Sequence, residues 1–163
     1  MLENRRDEKD YLWWQLHRPR DKNIFLSEKI VAPQRSKRNT FGFTNKEWFA
    51  SADVYFITLK PSAGKSYNIK HLLGILNSNL IYHWLNKFGK KKGDSFELYQ
   101  EPLSNIPIPF YNADHKPLLD RLEVLVNKLI GNPIDRINLE KEVDELVYRL
   151  YNFSKDQSAI YQS

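Results

Sequence analysis

Asn68-Ile69-Lys70-His71-Leu72-Leu73-Gly74-Ile75-Leu76-Asn77-Ser78-Asn79-Leu80-Ile81-Tyr82-His83-Trp84-Leu85-Asn86-Lys87-Phe88 is the stretch on which the fold turns. Leu72, Leu73, Leu76, Leu80, Ile81, Trp84 and Leu85 recur at three- and four-residue spacing, the period of a helix face, and Asn68 is a residue type that caps a first turn. The spacing predicts one long, largely buried helix over 69–88. A helix with so broad an apolar face needs packing partners, and the flanks supply them. Upstream, Lys29-Ile30-Val31-Ala32-Pro33 reads as a short buried strand that Pro33 ends, since proline cannot donate to a ladder. Asp53-Val54-Tyr55-Phe56-Ile57-Thr58-Leu59 is β-branched and aromatic, the strongest strand signal in the chain. Between them, Phe41-Gly42-Phe43 and Trp48-Phe49 surround a turn signal at Thr44-Asn45-Lys46.

Downstream, Gly89-Lys90-Lys91-Lys92-Gly93-Asp94 is a glycine-bounded basic loop and Ser95 to Gln100 a strand. Leu103 to Phe110, punctuated by Pro107 and Pro109, is expected to be extended, because a residue preceding proline is pushed out of helical geometry. Two further helical patterns follow, one on Leu118, Leu122, Leu125, Val126 and Leu129, the other on Leu139, Val143, Leu146, Val147 and Leu150. Gly131-Asn132-Pro133 separates them, and so short a connection predicts an antiparallel helical hairpin. The expected fold class is α+β: a small mixed β-sheet with a long buried helix, then a C-terminal two-helix hairpin. The chain divides into a frayed lead-in over 1–10, a mixed domain over 11–110, and the hairpin with its tail over 111–163. Pro61 to Ser66 reads as a loop.

With 163 residues, 41% of them hydrophobic and 28% charged, the chain has material for a real core. No run approaches the length of a membrane span, and Met1 to Asp10 is too charged for a signal peptide. The absence of cysteine excludes disulfides, thiolate nucleophiles and cysteine-ligated zinc, and fits a cytoplasmic setting. The net charge of +5 is unevenly placed: residues 1–110 carry 18 Lys/Arg against 11 Asp/Glu, residues 111–163 only 7 against 9. A polyanion-binding module joined to a near-neutral helical element has this distribution.

Catalytic motifs are fragmentary. Gly64-Lys65-Ser66 resembles the end of a phosphate-cradling loop, but Leu59 stands where that loop needs its first glycine. His17, His71, His83 and His115 have neither a His-Glu-x-x-His frame nor cysteine partners, so surface or core-edge roles outweigh metal ligation. The acid-x-Lys triplets Asp7-Glu8-Lys9 and Asp114-His115-Lys116 are pieces of what a metal-dependent nuclease needs, and chance outweighs that reading. Glu140, Glu142, Asp144 and Glu145 alternate with an apolar stripe and read as a solvated helix face.

The basic loops carry more. Arg18, Arg20 and Lys22 form one, Arg35, Ser36, Lys37 and Arg38 a second, and Lys90, Lys91 and Lys92 a third. Arginine forks grip phosphates or guanine edges and lysines neutralise phosphate, while Gln34, Asn39 and Gln100 are types that read adenine edges. One such loop is an ordinary solvated loop, but three in one chain point to nucleic acid.

The order of segments is similar to that of a known family. Trp13-Trp14-Gln15-Leu16-His17-Arg18-Pro19-Arg20, Lys29 to Ser36, Trp48 to Tyr55, Leu72 to Ser78, Glu97-Leu98-Tyr99-Gln100 and Ile106-Pro107-Ile108-Pro109 together resemble a TaqI-like specificity domain, over roughly residues 11–150. That is the C-terminal target recognition domain of adenine-N6 DNA methyltransferases and of fused type IIG restriction–modification enzymes. Glu142 to Tyr151 resembles the family's usual end. The resemblance implies a module that reads a short double-stranded DNA sequence while an N-terminal methyltransferase domain flips and methylates adenine with S-adenosylmethionine. This chain has no Asn/Asp-Pro-Pro-Tyr/Phe motif, Asn132-Pro133-Ile134 being the nearest fragment, and no glycine-rich cofactor loop. Catalysis and cofactor are therefore expected outside it, and its abrupt start reads as that of a C-terminal fragment of a larger enzyme. Trp48, Phe49, Asp53, Tyr55, Leu76 and Pro107 are expected to be scaffold. An interaction module working through the C-terminal hairpin is the alternative function.

Overall fold

The computed structural model describes residues 21–51, 53–60 and 67–154. Its first element, α1 (Lys22–Leu26), is one turn capped by Asp21, whose carboxylate accepts from the Asn23 N–H. The strand β1 (Lys29–Pro33) follows, with β3 (Gly42–Thr44) on one side and β4 (Val54–Ile57) on the other, both antiparallel. Lys29 stands opposite Thr44, and Ile30 opposite both Phe43 and Ile57. The expected strand over 29–33 is there, and that over 53–59 is trimmed to its centre.

A second three-stranded sheet has the order β2-β6-β5, with β2 (Arg35–Ser36), β5 (Lys91–Lys92) and β6 (Ser95–Glu97) again antiparallel. Two small antiparallel sheets thus replace the single mixed sheet expected. Gln34 joins them through its backbone: its N–H donates to the Asp53 carbonyl at 2.7 Å, and its carbonyl accepts from the Leu98 N–H at 2.8 Å. The expected loop over 89–94 folds instead into a hairpin, closed by Gly93 and Asp94 between the paired Lys92 and Ser95. Gly93 has φ +59°, a conformation glycine adopts without the Cβ penalty of other residues. The strand expected to run to Gln100 ends at Glu97, because Gln100 begins α4 (Gln100–Ser104), which also takes the first part of the segment expected to be extended.

The long helix is broken into α2 (Ile69–Asn77) and α3 (Asn79–Phe88) at Ser78, whose ψ of 156° is extended. The break satisfies its own polar groups. Ser78 donates its hydroxyl to the Ile75 carbonyl at 2.7 Å and accepts from the Ile81 N–H, closing one helix and capping the next. At the start of α2, Asn68 accepts from the Lys70 and His71 N–H groups while the His71 Nδ1 accepts from the Asn68 N–H, a capping box with histidine in the usual Glu/Gln place. Burial lowers the His71 pKa, so the neutral ring that this bond requires is favoured.

The expected hairpin is formed by α5 (Lys116–Ile130) and α6 (Arg136–Leu150). Asn132 takes φ +53° in the connection. Its apolar faces are spent inside the molecule: Leu119, Leu122, Leu125 and Val126 of α5 and Leu139, Val143, Leu146, Val147 and Leu150 of α6 are buried in one core with Ile30, Ile69, Leu73, Ile75, Ile81, Leu85, Phe96 and Leu98. Gly74 lets α5 come close to α2, since a Cβ there would stand 2.9 Å from both Leu122 and Val126. Asp144, expected on a solvated face, is buried instead, its carboxylate accepting from the Asn79 N–H at 2.7 Å and the Asn79 amide at 2.8 Å.

Candidate nucleic-acid interface

The second sheet unites two of the three basic segments. Pairing of β2 with β6 sets Arg35 opposite Glu97, and pairing of β5 with β6 sets Lys91 opposite Phe96 and Lys92 opposite Ser95. Residues directly opposite share a face of a sheet, so Phe96, 2% exposed, marks the inward face and Glu97 the outward one. On that outward face Glu97 lies between two cations, 3.5 Å from the Arg35 guanidinium and 3.7 Å from the Lys90 ammonium. The two cations are half-exposed while the Glu97 side chain is only 12% exposed, and ion pairs open to solvent on one side contribute modestly to stability. Their effect here is geometric: one carboxylate holds an arginine from the first segment and a lysine from the other. Lys90 also contacts the Tyr99 hydroxyl, and that hydrogen bond, followed by the charges around it, raises its pKa.

The remaining predicted residues divide. Lys37, Arg38 and Lys92 are exposed beside the same sheet. Ser36 is half-buried, and its hydroxyl accepts from the Arg38 N–H, shaping the turn in which Lys37 sits. Arg38 lays its guanidinium over the Tyr82 ring, 4.9 Å from the centroid. Gln34 is half-buried at the junction of the two sheets, and Gln100 is exposed at the first position of α4. Asn39 does not join the group: it is 6% exposed, and its amide donates to the Leu76 and Ser78 carbonyls, both at 2.8 Å. Those are carbonyls at the break between α2 and α3, so Asn39 serves the scaffold rather than a base edge. Asn77 adds a second tie, accepting from the Phe41 N–H and donating to the Phe41 carbonyl, each at 2.9 Å. Lys22 opens α1, which bonds to the loop beyond β3 through Trp48, and no described contact brings it to the cluster. Arg18 and Arg20 lie outside the described residues, as do Tyr11 to Leu16 and Pro61 to Ser66.

Of the residues expected to be scaffold, Leu76 is buried and Tyr55 half-buried, while Trp48 and Phe49 are 41% and 59% exposed, gathered with Phe25 and Phe56 in an aromatic group. Asp53 and Pro107 are exposed and act through their carbonyls, which accept from Gln34 and from the Tyr151 hydroxyl. Glu97, Tyr82, Asn86 and Lys29 were not legible as functional or structural polar groups. Lys29 is fully buried, its ammonium donating to the Phe25, Ser27 and Lys46 carbonyls at 2.7–3.1 Å, three neutral acceptors for three donors. Among the described residues no three His, Asp or Glu side chains gather as a metal would need. Lys116 of the second acid-x-Lys triplet is paired with Asp120 at 2.7 Å, one turn along α5.

A 700 Å³ cleft borders this region, between the 38–43 segment and the helices α2, α5 and α6. It holds cations such as Arg38, Arg136 and Lys141 together with Glu140 and Asp144. The chemistry on offer across the cluster is that of donors and positive charge, suited to phosphate oxygens and to acceptors on base edges.

The chain is similar to known proteins. The sequence profile of the TaqI-like C-terminal specificity domain matches residues 6–108. A protein of Methanocaldococcus jannaschii described as a type II restriction enzyme and methyltransferase, RM.MjaORFECS2P, is 34% identical over 154 residues, covering 88% of this chain and 13% of that protein. Type II methyltransferase M.HincII of Haemophilus influenzae is 28% identical over 144 residues, 80% of this chain and 28% of the relative. Type II methyltransferase M.MjaIV, also of Methanocaldococcus jannaschii, is 26% identical over 162 residues, 93% of this chain and 51% of the relative. The chain therefore spans about half or less of the length of each.

Proposed function

Because the chain belongs to the TaqI-like C-terminal specificity domains, we propose that it recognises a short double-stranded DNA sequence as the target recognition domain of a restriction–modification adenine-N6 methyltransferase of type IIG-like organisation. The observation that carries this reading is that one three-stranded sheet takes Arg35 and Ser36 from one basic segment and Lys91 and Lys92 from the other, with Lys37, Arg38 and Lys90 next to its strands in the chain. Lysines and arginines there hold phosphates and set the register, and an arginine fork reaches acceptor atoms in the major groove. A β-hairpin is narrow enough to enter that groove.

The partners in this reading are DNA and a methyltransferase domain of the same protein, in the cytoplasm. No described helix is long and apolar enough to cross a membrane. S-adenosylmethionine belongs to the methyltransferase domain: this chain has neither a glycine-rich cofactor loop nor an Asn/Asp-Pro-Pro-Tyr/Phe motif to hold it, and no chemical step is assigned to it. The alternative, an interaction module built on the hairpin, would use the exposed Val124, Ile130, Ile134 and Ile137, since the main apolar stripes of α5 and α6 are buried in the common core.

The test is selection from a pool of random duplexes over a salt series, with the unsubstituted chain beside an Arg35→Ala/Arg38→Ala variant. Enrichment of a short motif is expected. If Arg35, Lys37, Arg38, Lys90, Lys91 and Lys92 all meet phosphates, log K should fall against log salt with a slope of up to about −5. The double variant should flatten that slope by about 2. A slope near zero, or a variant that binds as the unsubstituted chain does, would overturn the reading.

A further inference from the structure

Two side chains on α3 each hold one of the cations that belong to different basic segments. The Tyr82 ring lies under the Arg38 guanidinium at 4.9 Å. One turn further along, Asn86 accepts from the Lys91 ammonium at 2.9 Å. Residues four apart on a helix share a face, so Tyr82 and Asn86 form one edge facing both segments. A third contact closes the arrangement: Tyr82 meets Phe96 edge to face, centroids 5.8 Å apart and planes at 73°, and the Lys91 ammonium is 5.4 Å from the Phe96 centroid. Two touching rings therefore carry a cation each, one from the segment after β2 and one from the hairpin.

Arg38 has the freedom to need such a seat. It is exposed, and among the described residues it forms no ion pair, in contrast to Arg35 with its Glu97. A flexible arginine loses side-chain entropy when it engages a ligand, and a guanidinium already seated over a ring has lost part of it beforehand. A guanidinium carries five N–H donors, more than one ring face can occupy, so donors remain for a phosphate or a guanine edge.

We propose that Tyr82 is a positioning residue for DNA reading, its ring seating Arg38 at a fixed distance from Lys91, which Asn86 holds from the same helix face. The inference rests on the DNA-recognition reading above and adds to it the element that sets the spacing of its two basic segments.

The experiment measures, for the 163-residue chain, the ratio of affinity for the motif enriched from the random pool to affinity for the pool itself. The variants are Tyr82→Phe, Tyr82→Leu, Asn86→Ala, Arg38→Ala and Tyr82→Leu/Arg38→Ala. Tyr82→Leu should lower the ratio by about threefold to thirtyfold, the range of a cation–π contact, with the salt slope unchanged because no charge is removed. Tyr82→Phe keeps the ring and should keep the ratio. In the Arg38→Ala background Tyr82→Leu should add nothing. Asn86→Ala, at an exposed position that leaves the core intact, should lower the ratio in the same direction and covers the case in which Tyr82→Leu disturbs folding. If Arg38→Ala lowers the ratio while Tyr82→Leu and Asn86→Ala leave it unchanged, the Tyr82 inference falls and the DNA reading stands. A Tyr82→Phe variant as impaired as Tyr82→Leu also overturns it. If the Arg35→Ala/Arg38→Ala variant binds the pool as the unsubstituted chain does, the DNA reading fails and takes this inference with it.

Discussion

Replacing Gly74 by alanine asks whether the C-terminal hairpin belongs to the same core as the basic sheet. An alanine Cβ would stand 2.9 Å from a methyl of Leu122, 3.3 Å from its Cγ, and 2.9 Å from a methyl of Val126. Ordinary contact begins near 3.5 Å, so α5 must retreat by roughly half an ångström or its side chains must turn. Neither is easy: Leu122 is fully buried, Val126 is 2% exposed, and valine in a helix has essentially one χ1 rotamer. Overpacking of this kind costs about 1–3 kcal/mol. Against it stands the gain of about 1 kcal/mol from replacing glycine by alanine inside a helix. The expected balance is a loss of about 1 kcal/mol, or about 2–4 °C in Tm. Calorimetry of Gly74→Ala, Leu122→Ala and the double variant separates the terms. Leu122→Ala alone should cost about 2–5 kcal/mol, and less when Gly74→Ala fills part of the space, with a coupling of about 1 kcal/mol or more. A Gly74→Ala chain that melts at or above the original Tm, with additive double-variant energies, would refute the close approach of α2 and α5.

Two further outcomes are expected. Burial pushes the Asp144 carboxyl from 3.8 up to about 6, against the lowering effect of its bonds from Asn79. A folded-state pKa raised above the unfolded value gives stability that is full below about pH 4 and lost as pH rises through about 6, on the order of 3 kcal/mol; urea unfolding of the chain and of Asp144→Asn between pH 4 and 8 should show that slope in the first and its flattening in the second. Asn77→Ala leaves the Phe41 N–H and carbonyl without their partner, and should cost about 1–3 kcal/mol in chemical denaturation, with faster hydrogen exchange at Phe41 than at Ile75.

Much of this molecule was legible locally. The Lys29–Pro33 strand, the Asn68 cap, the two-helix hairpin and the α+β class follow from spacing, proline chemistry and cap preferences, which act over a few residues. The break at Ser78 also had a local signal, since Asn77-Ser78-Asn79 is a polar triplet inside an apolar pattern and serine is a favoured cap. Periodicity alone overrode it, because the apolar positions keep their spacing across the break.

The candidate interface was legible as three charged segments and no more. Composition and order placed lysines and arginines in loops, but could not decide that two of the segments share a sheet, that Asn39 turns inward, or that Glu97, Tyr82 and Asn86 hold the cations. Arg35 and Glu97 stand 62 positions apart, and the bond between Asn79 and Asp144 spans 65. Such pairings leave no periodic trace, because their register is chosen by which apolar faces can be buried together once the chain has closed on itself. Local chemistry determines which side chains carry positive charge and donors; packing around Phe96 and the α2–α3 break decides which of them stand together.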